Sequence, residues 1–266
     1  MIFRPLDETI SRHIDYYWIV EDSNALFGAS TSLHAYPGIT PDMIIVLDGF
    51  YTYNYFGTKM KQSKSMLFSF IQRDIQLDLS SLRSFILIKF KSRALSSLQP
   101  FVEYSSKEIM ENPVHFSDTA FDGSISQLHK RLKNFSETEI VPFLDDWFLS
   151  YYKKEREGFV VEMAEEICPD FNLQKIMEAT NYSYSTIERY FKRETGLTPK
   201  KFQTLKRFKS AVTEICATKN NDWMKYVSDY KYYDHAHFIK DIKKHARITP
   251  NQLLETPSFL SFRPKV

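Results

Sequence analysis

The stretch Asn172–Pro199 reads NLQKIMEATNYSYSTIERYFKRETGLTP, and its pattern returns 51 residues later in the chain. Matched pairs are Tyr182-Ser183 with Tyr233-Asp234, Ile187 with Phe238, Phe191 with Ile242, Lys192-Arg193 with Lys243-Lys244, and Leu197-Thr198-Pro199 with Ile248-Thr249-Pro250. A repeat of this length indicates one supersecondary unit used twice. The layout of that unit therefore decides the fold of the C-terminal third.

Each copy has the layout of two short helices joined by a tight turn. In the first copy, Asn172 is a candidate cap for a helix over Leu173–Thr180. Asn181 then stands where the chain must turn sharply, and asparagine tolerates the left-handed conformation better than most residues. Ser183 can cap a second helix over Tyr184–Glu194. The pattern predicts a helix-turn-helix.

The second helix of this unit has an apolar side and a polar side. Its inward residues are Ile187, Tyr190 and Phe191, Gly196 suits its C-terminal end, and Pro199 suits the first turn of the next helix. Its outward residues are Tyr184, Ser185, Glu188, Arg189, Lys192 and Arg193. Such a helix can enter a major groove, with its N-terminal half at base edges and its basic residues near phosphates.

These motifs resemble the AraC/XylS family of transcription regulators over roughly Val160–Glu255. The first unit carries the family phrase at Ser183, Ile187, Arg189, Phe191, Lys192, Gly196, Thr198 and Pro199. The second carries it at Asp234, His237, Phe238, Lys243, Thr249 and Pro250. Between them, Arg207 and Ala211 match the Arg and the small residue of the family's long joining helix. The resemblance implies two helix-turn-helix units on one long helix.

The second unit departs from the family pattern at four places. Tyr226-Val227 replaces the usual Ile-Ala, and Ile242 replaces an aromatic residue. Lys231 and Arg247 replace the turn glycine and the helix-ending glycine. A positive φ at either residue would cost of order 1 kcal/mol. The DNA contacts predicted for the first unit therefore have a stronger basis in the sequence than those predicted for the second.

Arg189 is the foremost candidate for a base contact, because it falls on a base-contacting position of the family and a bidentate arginine favours guanine. Glu188 can accept from a cytosine amino group. The ordinary alternatives are a surface Arg189 paired with Glu188 or Glu194, and a helical Glu188–Lys192 pair. The corresponding residues of the second unit are His235, His237, Ile239 and Lys240, of which His237 either packs or reaches the backbone of DNA. Candidate phosphate contacts are Lys192, Arg193, Lys200, Lys201, Lys243 and Lys244.

The first ninety residues have the pattern of β-structure. Short runs of apolar, aromatic or hydroxyl residues predict strands at Ile14–Val20, Ser30–Tyr36, Met43–Leu47, Tyr51–Phe56, Met66–Phe70, Ile75–Leu79 and Ser84–Phe90. Their spacing predicts a small barrel or sandwich. In the last run, Phe85, Leu87 and Lys89 alternate with Ile86, Ile88 and Phe90, so both faces are largely apolar and we expect a central strand.

After Arg93 the pattern becomes helical. A short helix is predicted at Lys107–Glu111, a second around Ile125, Leu128 and Leu132 with a cap near Asp118 or Asp122, and a third over Val141–Tyr152. The charged run Lys153–Gly158 is the preferred boundary. The predicted domains are a β-rich sensor or dimerisation domain (1–95), a helical connector (96–157), a double helix-turn-helix domain (158–256) and a tail (257–266).

The front half weakly resembles the β-rich, cupin-like N-terminal domain found in some of these regulators. The resemblance rests on Tyr36-Pro37, on Pro41–Ile45 and on Phe85–Phe90, and on connecting helices within Ser105–Trp147. In the family this region senses a small molecule or mediates dimerisation. The implied partners are therefore double-stranded DNA, an effector of unknown identity, a second copy of the chain and RNA polymerase.

The charge divides in the same place as the motifs. The whole chain carries a net charge of +2, but residues 1–170 have 17 Lys and Arg against 24 Asp and Glu, whereas residues 171–266 have 18 against 9. Only the basic part is expected to bind a polyanion. We see no signal peptide and no apolar run long enough to span a membrane, so the chain is expected to be cytoplasmic and not to bind a membrane. Its two cysteines are too few for a disulfide framework.

Other functions find less support in the sequence. His13, His34 and His115 lack the His-x-His clustering of a metal-binding cupin, and His235, His237 and His245 do not share one helix face. The main alternative is a DNA-repair methyl acceptor or other enzyme with this DNA-binding tail. Its reactive cysteine would be Cys168, whose acidic neighbours Glu165, Glu166 and Asp170 raise the thiol pKa. No Ser-His-Asp motif or carboxylate pair stands out for an enzyme with a non-DNA role.

The sequence thus predicts an α+β chain: a β-rich front domain, a helical connector and an all-α domain of two helix-turn-helix units. We expect a transcription regulator and no enzyme, with no cofactor and no metal. One chain is expected to place Tyr184–Glu194 and His235–Lys244 in successive major-groove segments about 34 Å apart.

Overall fold

The computed structural model describes residues 1–55, 57–63, 66–68, 75–91, 94–97, 114–115, 124–152, 160–167 and 172–258. The strands are β1 (Ile2–Phe3), β2 (Ile14–Val20), β3 (Ser32–Ala35), β4 (Asp42–Gly49), β5 (Tyr51–Tyr55), β6 (Thr58–Gln62), β7 (Met66–Phe68), β8 (Ile75–Asp78), β9 (Leu82–Phe90) and β10 (Val114–His115). The helices are α1 (Glu8–Ser11), α2 (Ser23–Phe27), α3 (Ala94–Ser97), α4 (Ser124–Leu132), α5 (Glu137–Leu149), α6 (Val160–Ile167), α7 (Leu173–Thr180), α8 (Tyr184–Thr195), α9 (Pro199–Thr218), α10 (Trp223–Asp229), α11 (His235–Ala246) and α12 (Pro250–Glu255).

The front half is a sandwich of two antiparallel sheets. One sheet has the strand order β1-β2-β9-β4-β7-β10, and the other has the order β3-β8-β5-β6. Side chains from both sheets, among them Trp18, Phe85, Leu77 and Tyr51, form one buried cluster. The predicted α+β fold with a small β-sandwich is therefore confirmed.

Strand β9 lies between β2 and β4, which confirms the central position predicted from its two apolar faces. Phe85 and Leu87 point into the sandwich, whereas Ile86, Ile88 and Phe90 point to the opposite side. On that side they pack with residues of the helices. The six-stranded sheet therefore separates two apolar layers, as expected for a strand without a polar face.

Several elements differ from the sequence prediction. Strands β1, β6 and β10 and helices α1 and α2 were not expected, because they are short or, as in the exposed start of β6, lack apolar alternation. Strand β3 is shorter than the predicted Ser30–Tyr36, and β9 begins at Leu82 rather than Ser84. The ends of two other predicted strands, Phe56 and Phe70, lie outside the described residues.

Helix α5 begins at Glu137, earlier than the predicted Val141, because its cap Ser136 precedes the apolar stripe from which the helix was predicted. Glu139 accepts a hydrogen bond from the backbone N–H of Ser136 at 2.9 Å, which closes the first turn. Pro142 thus lies inside the helix. The predicted helix near Ile125–Leu132 is α4, whereas its candidate caps Asp118 and Asp122, the Lys107–Glu111 helix and the Lys153–Gly158 boundary lie outside the described residues.

Helix α5 is tied to the sheet by a buried carboxylate. Asp145 is 2% exposed and accepts hydrogen bonds from Leu6 N at 2.6 Å, Asp7 N at 2.9 Å and the Tyr17 hydroxyl at 2.6 Å. Burial, and then the Asp145 charge, raise the pKa of Tyr17 well above its usual value. Helix α5 and the N-terminal segment thus pack on the sheet as one layer.

The C-terminal part contains two helix-turn-helix units, α7–α8 and α10–α11, joined by α9. Helix α9 is 20 residues long and contributes to two different apolar cores. Its first half, with Phe202 and Leu205, joins the cluster that includes the first unit and the helix-facing side of the six-stranded sheet. Its second half, with Phe208 and Ile215, forms a separate core with the second unit.

The second unit also touches the front half. Beside Ser258, which follows α12, the carbonyl of Pro257 accepts a hydrogen bond from His34 N in β3 at 3.1 Å. Lys209 of α9 donates from Nζ to the Tyr36 carbonyl at 3.2 Å, and the Tyr36 ring is buried in the second unit's core. The predicted boundaries at 95, 157 and 256 stay predictions, but apolar and hydrogen-bonded contacts cross them.

Candidate nucleic-acid interface

The two units build their second helices in the same way. Helices α8 and α11 are each 12 residues long and start 51 residues apart. Ser183 accepts a hydrogen bond from Thr186 N at 3.3 Å, and Asp234 accepts one from His237 N at 2.7 Å. Side-chain caps therefore fix both N-terminal ends, which are the ends predicted to face DNA.

Packing decides which side of α8 is free. Ile187 and Phe191 are fully buried, so the opposite side faces solvent. The predicted outward residues Tyr184, Ser185, Arg189, Lys192 and Arg193 are exposed, and Glu188 is half-buried. The structure therefore presents all six candidates on the accessible part of one helix.

The carboxylates that could pair with Arg189 are engaged with other cations. Glu188 forms an ion pair with Lys192 at 2.7 Å, the ordinary alternative weighed from the sequence. Glu194 pairs with Arg193 at 3.2 Å. The Arg189 guanidinium lies 5.6 Å from the ring centre of Tyr190 and remains exposed. Arg189 is therefore accessible to a base edge, whereas Glu188 would have to share its carboxylate with Lys192.

Helix α11 presents a different mixture of residues. Lys240, Lys243, Lys244 and His235 are exposed. His237 accepts a hydrogen bond from Tyr233 N on Nδ1 at 3.3 Å, and its ring packs on Tyr232. Ile239 is half-buried against the second unit's core.

His237 and Ile239 thus take part in local packing, and their predicted DNA contacts stay predictions beside those of the exposed residues of α11. For His237 this is the packing alternative weighed from the sequence.

Positive charges from two elements come together beside α11. Partial burial lowers the pKa of Lys201 in α9, and the nearby charge of Lys244 in α11 lowers it further. Lysines that repel one another in the free protein gain from a shared polyanion, because a phosphate removes the repulsion. Lys200 is also exposed at the start of α9. The predicted phosphate-contact lysines therefore extend from α11 onto α9.

A second buried carboxylate connects α8 to the preceding helix. Glu194 accepts hydrogen bonds from Val160 N at 3.3 Å and Val161 N at 3.0 Å, at the start of α6. Burial raises the pKa of Glu194, although these bonds and Arg193 oppose the shift. The last turn of α8 is therefore fixed to α6 by Glu194, which the sequence suggested only as a surface partner of Arg189.

Arg207 belongs to a buried polar cluster in the second unit. Its guanidinium lies 3.6 Å from the carboxylate of Asp241 and 4.3 Å from the ring centre of Tyr232. Asp241 also lies 3.5 Å from His245 Nε2 and accepts a hydrogen bond from the Tyr232 hydroxyl at 3.1 Å. Burial alone would raise the pKa of Asp241, but His245 and Arg207 outweigh it and lower that pKa.

This cluster explains how the arginine of α9 acts: it holds α11 through Asp241. Ala211, one turn further on, is fully buried and lets α9 approach its neighbours closely. Sequence reasoning missed Asp241 and considered His245 only as a possible metal ligand. Their four-residue spacing on the side of α11 that carries Phe238 and Ile242 is the signal that could have found them.

Glycine and proline stand at the ends of the units where the pattern predicted them. Gly196 ends α8 with φ of 70°, and Asn181 ends α7 with φ of 55°. Pro199 and Pro250 are buried in the first turns of α9 and α12, behind the caps Thr198 and Thr249.

Other candidate sites have little support within the described residues. No three His, Cys, Asp or Glu side chains among them are placed to hold a metal ion. Cys168 lies outside the described part, and Cys216 is buried beside the Ser258 hydroxyl at 3.4 Å. No described helix is long and apolar enough to cross a bilayer.

The front half contains an open cavity of about 310 Å³ between the end of β4 and α4. It is lined by residues 46–49, Ser63, His129, Lys130 and Lys133. Because basic residues are favoured at the C-terminal end of any helix, the two lysines and the histidine are accounted for without a ligand.

Comparisons with known proteins agree with the helix-turn-helix assignment. Residues 176–256 match the family model HTH_18, which is described as a helix-turn-helix domain. No curated protein matches the chain. The C-terminal part is therefore an AraC-type helix-turn-helix domain, and the resemblance to AraC/XylS regulators drawn from the sequence is confirmed over those residues.

Solved structures similar to the whole chain include two of ToxT from Vibrio cholerae. ToxT from strain O395 is 10% identical, with 96% of this chain and 95% of that chain covered and a TM-score of 0.45. ToxT from strain SCE256 with a bound unsaturated fatty acid is 10% identical, with 91% and 95% covered and a TM-score of 0.48. The AraC-like transcriptional activator CuxR is 12% identical, with 75% and 74% covered and a TM-score of 0.26. At these values the likenesses carry no argument about ligands or mechanism.

Proposed function

We propose that this chain is a sequence-specific, DNA-binding transcription regulator that reads two successive major-groove segments with α8 and α11. The observation that carries the proposal is the repeat itself: two capped 12-residue helices, 51 residues apart, expose polar and basic faces. Both helices lie in the AraC-type domain. We assign it no enzymatic activity and place it in the cytoplasm with its DNA.

The joining helix supports the spacing of the two reading helices. At 1.5 Å per residue, the 20 residues of α9 extend about 30 Å. Adjacent major-groove segments on one face of B-DNA are about 34 Å apart. Because each half of α9 is embedded in a different core, its length fixes how far apart the two units lie.

The roles proposed for individual residues follow from exposure and charge. Arg189 reads a guanine edge, because it is exposed and the nearby carboxylates pair with other cations. The phosphate contacts proposed around α11 and the start of α9 are Lys200, Lys201, Lys243 and Lys244, because most hydrogen bonds between lysine or arginine and DNA go to the backbone. Ser185, Glu188, His235 and Lys240 remain the further candidates for base contacts.

The front half is proposed to carry the controlling signal. It contacts the first unit through the common apolar cluster and the second unit through His34, Tyr36 and Lys209. A ligand or a second copy that shifts the sandwich would therefore shift one unit relative to the other. A change in their spacing changes how well both helices fit one duplex.

The proposal is tested by selection followed by substitution. Duplexes are first selected from a random pool with the unaltered protein, and binding to a selected and an unrelated duplex is then measured by fluorescence anisotropy. Arg189→Ala should weaken binding to the selected duplex by roughly 1–3 kcal/mol, and by much less to the unrelated one. Arg83→Ala, which removes an exposed arginine of β9, is the matched control.

Two results would count against the proposal. A pool with no enriched sequence would contradict sequence-specific binding altogether. Equal losses for Arg189→Ala on both duplexes would show that this arginine contacts the backbone and not a base.

A further inference from the structure

Two tyrosines occupy the same place in the two units. Tyr182 stands one residue before Ser183, the cap of α8, and Tyr233 stands one residue before Asp234, the cap of α11. Tyr182 is 37% exposed and Tyr233 is 91% exposed. The repeat therefore places an accessible phenol beside the N-terminal end of each reading helix.

This position usually has a different use. A hydrophobic residue before the cap commonly packs on the fourth residue of the helix, which fixes the direction from which the chain enters. The fourth residues here are Ile187 and Phe238, both fully buried in the cores of their units. With 91% of its surface exposed, Tyr233 does not fulfil this packing role.

Each tyrosine is nevertheless held in place. The Tyr182 ring packs at 5.7 Å from the ring centre of Tyr190 on α8. Tyr233 is fixed through its backbone, whose N–H donates to His237 Nδ1 at 3.3 Å. Both positions are thus defined by contacts with the following helix, so a reading helix that enters a groove brings its tyrosine to the groove edge.

The edges of a DNA groove are lined by the phosphates of the two backbones. Helix N-termini favour anions, because their unpaired N–H groups and the helix dipole both point outward. Tyrosine hydroxyls are among the groups that donate to DNA phosphates. A phenol beside each N-terminus adds a neutral donor to the charged lysines nearby.

We propose that Tyr182 and Tyr233 form a matched pair of DNA-backbone contacts, each donating its hydroxyl to a phosphate at the edge of the groove that its helix enters. This inference rests on the proposed DNA-binding function and extends it to residues outside both reading helices. The contacts fix the register of each helix on the duplex and do not read bases.

The test uses Tyr182→Phe, Tyr233→Phe and the double variant in the full chain. Removing a hydroxyl leaves the ring, including the Tyr182–Tyr190 packing, so unfolding temperatures should not change. Each single variant should bind the selected and the unrelated duplex roughly fivefold more weakly, as expected for one lost hydrogen bond. Tyr152→Phe, a half-buried tyrosine of the front half, is the control.

Salt dependence separates this contact from a lysine contact. A neutral donor releases no counterion, so the slope of log affinity against log salt should be unchanged in both tyrosine variants. Lys243→Ala, measured in parallel, should weaken binding to all duplexes and reduce that slope by about one unit.

The outcomes distinguish failure of the proposed tyrosine contacts from failure of the proposed DNA binding. If Lys243→Ala behaves as expected and the tyrosine variants bind like the unaltered protein, the tyrosine contacts are refuted and DNA binding stands. If Tyr→Phe weakens only the selected duplex, the hydroxyls read bases, which overturns the backbone assignment. If Lys243→Ala and Arg189→Ala both leave DNA binding unchanged, the proposed function itself fails.

Discussion

The first unit ends its reading helix at Gly196 with φ of 70°, whereas the second ends its own at Arg247 with φ of 62°. The turn before each reading helix shows the same contrast, with Asn181 at φ of 55° and Lys231 at φ of 54°. The backbone is thus nearly the same where the two reading helices end, although only the first unit has a glycine there. In the turns, Lys231 stands one position earlier in the repeat than Asn181, so the two turns share a left-handed residue but not its place.

The cores of the two units differ as well. The first unit shares its apolar cluster with the front half and has Tyr190 at the position where the second has Asp241. The second unit has a core of its own, rich in aromatic rings such as Tyr226, Trp223 and Phe238, and a buried cluster of Arg207, Asp241 and His245.

The comparison shows that the same fold can be specified by turn residues or by tertiary contacts. In the second unit, a charged network and a ring-filled core hold the helices where local preference does not. Each of the following predictions concerns a residue that stabilises one of the two units.

The largest effect is expected from Asp241→Ala. The substitution leaves Arg207 without its carboxylate in a largely buried setting, which should lower the free energy of unfolding by about 3 kcal/mol. Urea unfolding of the full chain, with the exposed Lys240→Ala on the same helix as control, measures the loss. A change below about 1 kcal/mol would mean that the cluster does not stabilise the second unit.

The turn residues should respond in opposite directions in the two units. Arg247→Gly relieves a strained φ and should stabilise the protein by about 1 kcal/mol, whereas Gly196→Ala introduces that strain and should destabilise it by about as much. Thermal unfolding of both variants provides the measurement. Equal signs for the two substitutions would disprove the matched backbone geometry.

The smallest effect is expected in the pH dependence of stability, to which the buried carboxylates of Glu194 and Asp241 contribute in opposite directions. The pKa of Glu194 is raised from its usual 4.5, so its contribution to stability is complete below pH 4.5 and is lost as the pH rises through the raised value. The pKa of Asp241 is lowered from 3.8, so its contribution is present above pH 3.8 and is lost as the pH falls through the lowered value.

We therefore expect Glu194→Gln to reduce the decline of stability above pH 4.5, and Asp241→Asn to reduce the decline below pH 3.8. Urea midpoints measured from about pH 3 to about pH 7 give the two slopes. A steeper decline above pH 4.5 in Glu194→Gln would reverse the sign assigned to Glu194.

Much of the C-terminal architecture could be predicted because its signals are local. Ser183, Gly196 and Pro199 mark ends of helices by properties of their own backbones and side chains, independent of distant residues. The alternation in β9 likewise predicted a strand buried on both faces. Such features need only short stretches of chain.

The candidate site was predictable in part. The outward residues of α8 follow from helical periodicity, and the structure leaves them accessible. The same reasoning placed His237 and Ile239 among the DNA contacts. Those contacts stay predictions, and the structure adds that His237 packs on Tyr232 and that Ile239 is half-buried against the core. Glu194 was not predicted to act, because its partners Val160 and Val161 lie more than thirty residues away.

By itself the sequence determined the repeat, the capped reading helices, the charge division between the halves and the family of the DNA-binding domain. These depend on residue type and on spacing within one or two turns. Only the tertiary structure decided that Asp241 joins Arg207, that Pro257 meets β3, and that the front half touches both units. Those contacts depend on how segments far apart in the sequence pack together, and the sequence of a short stretch does not specify such packing.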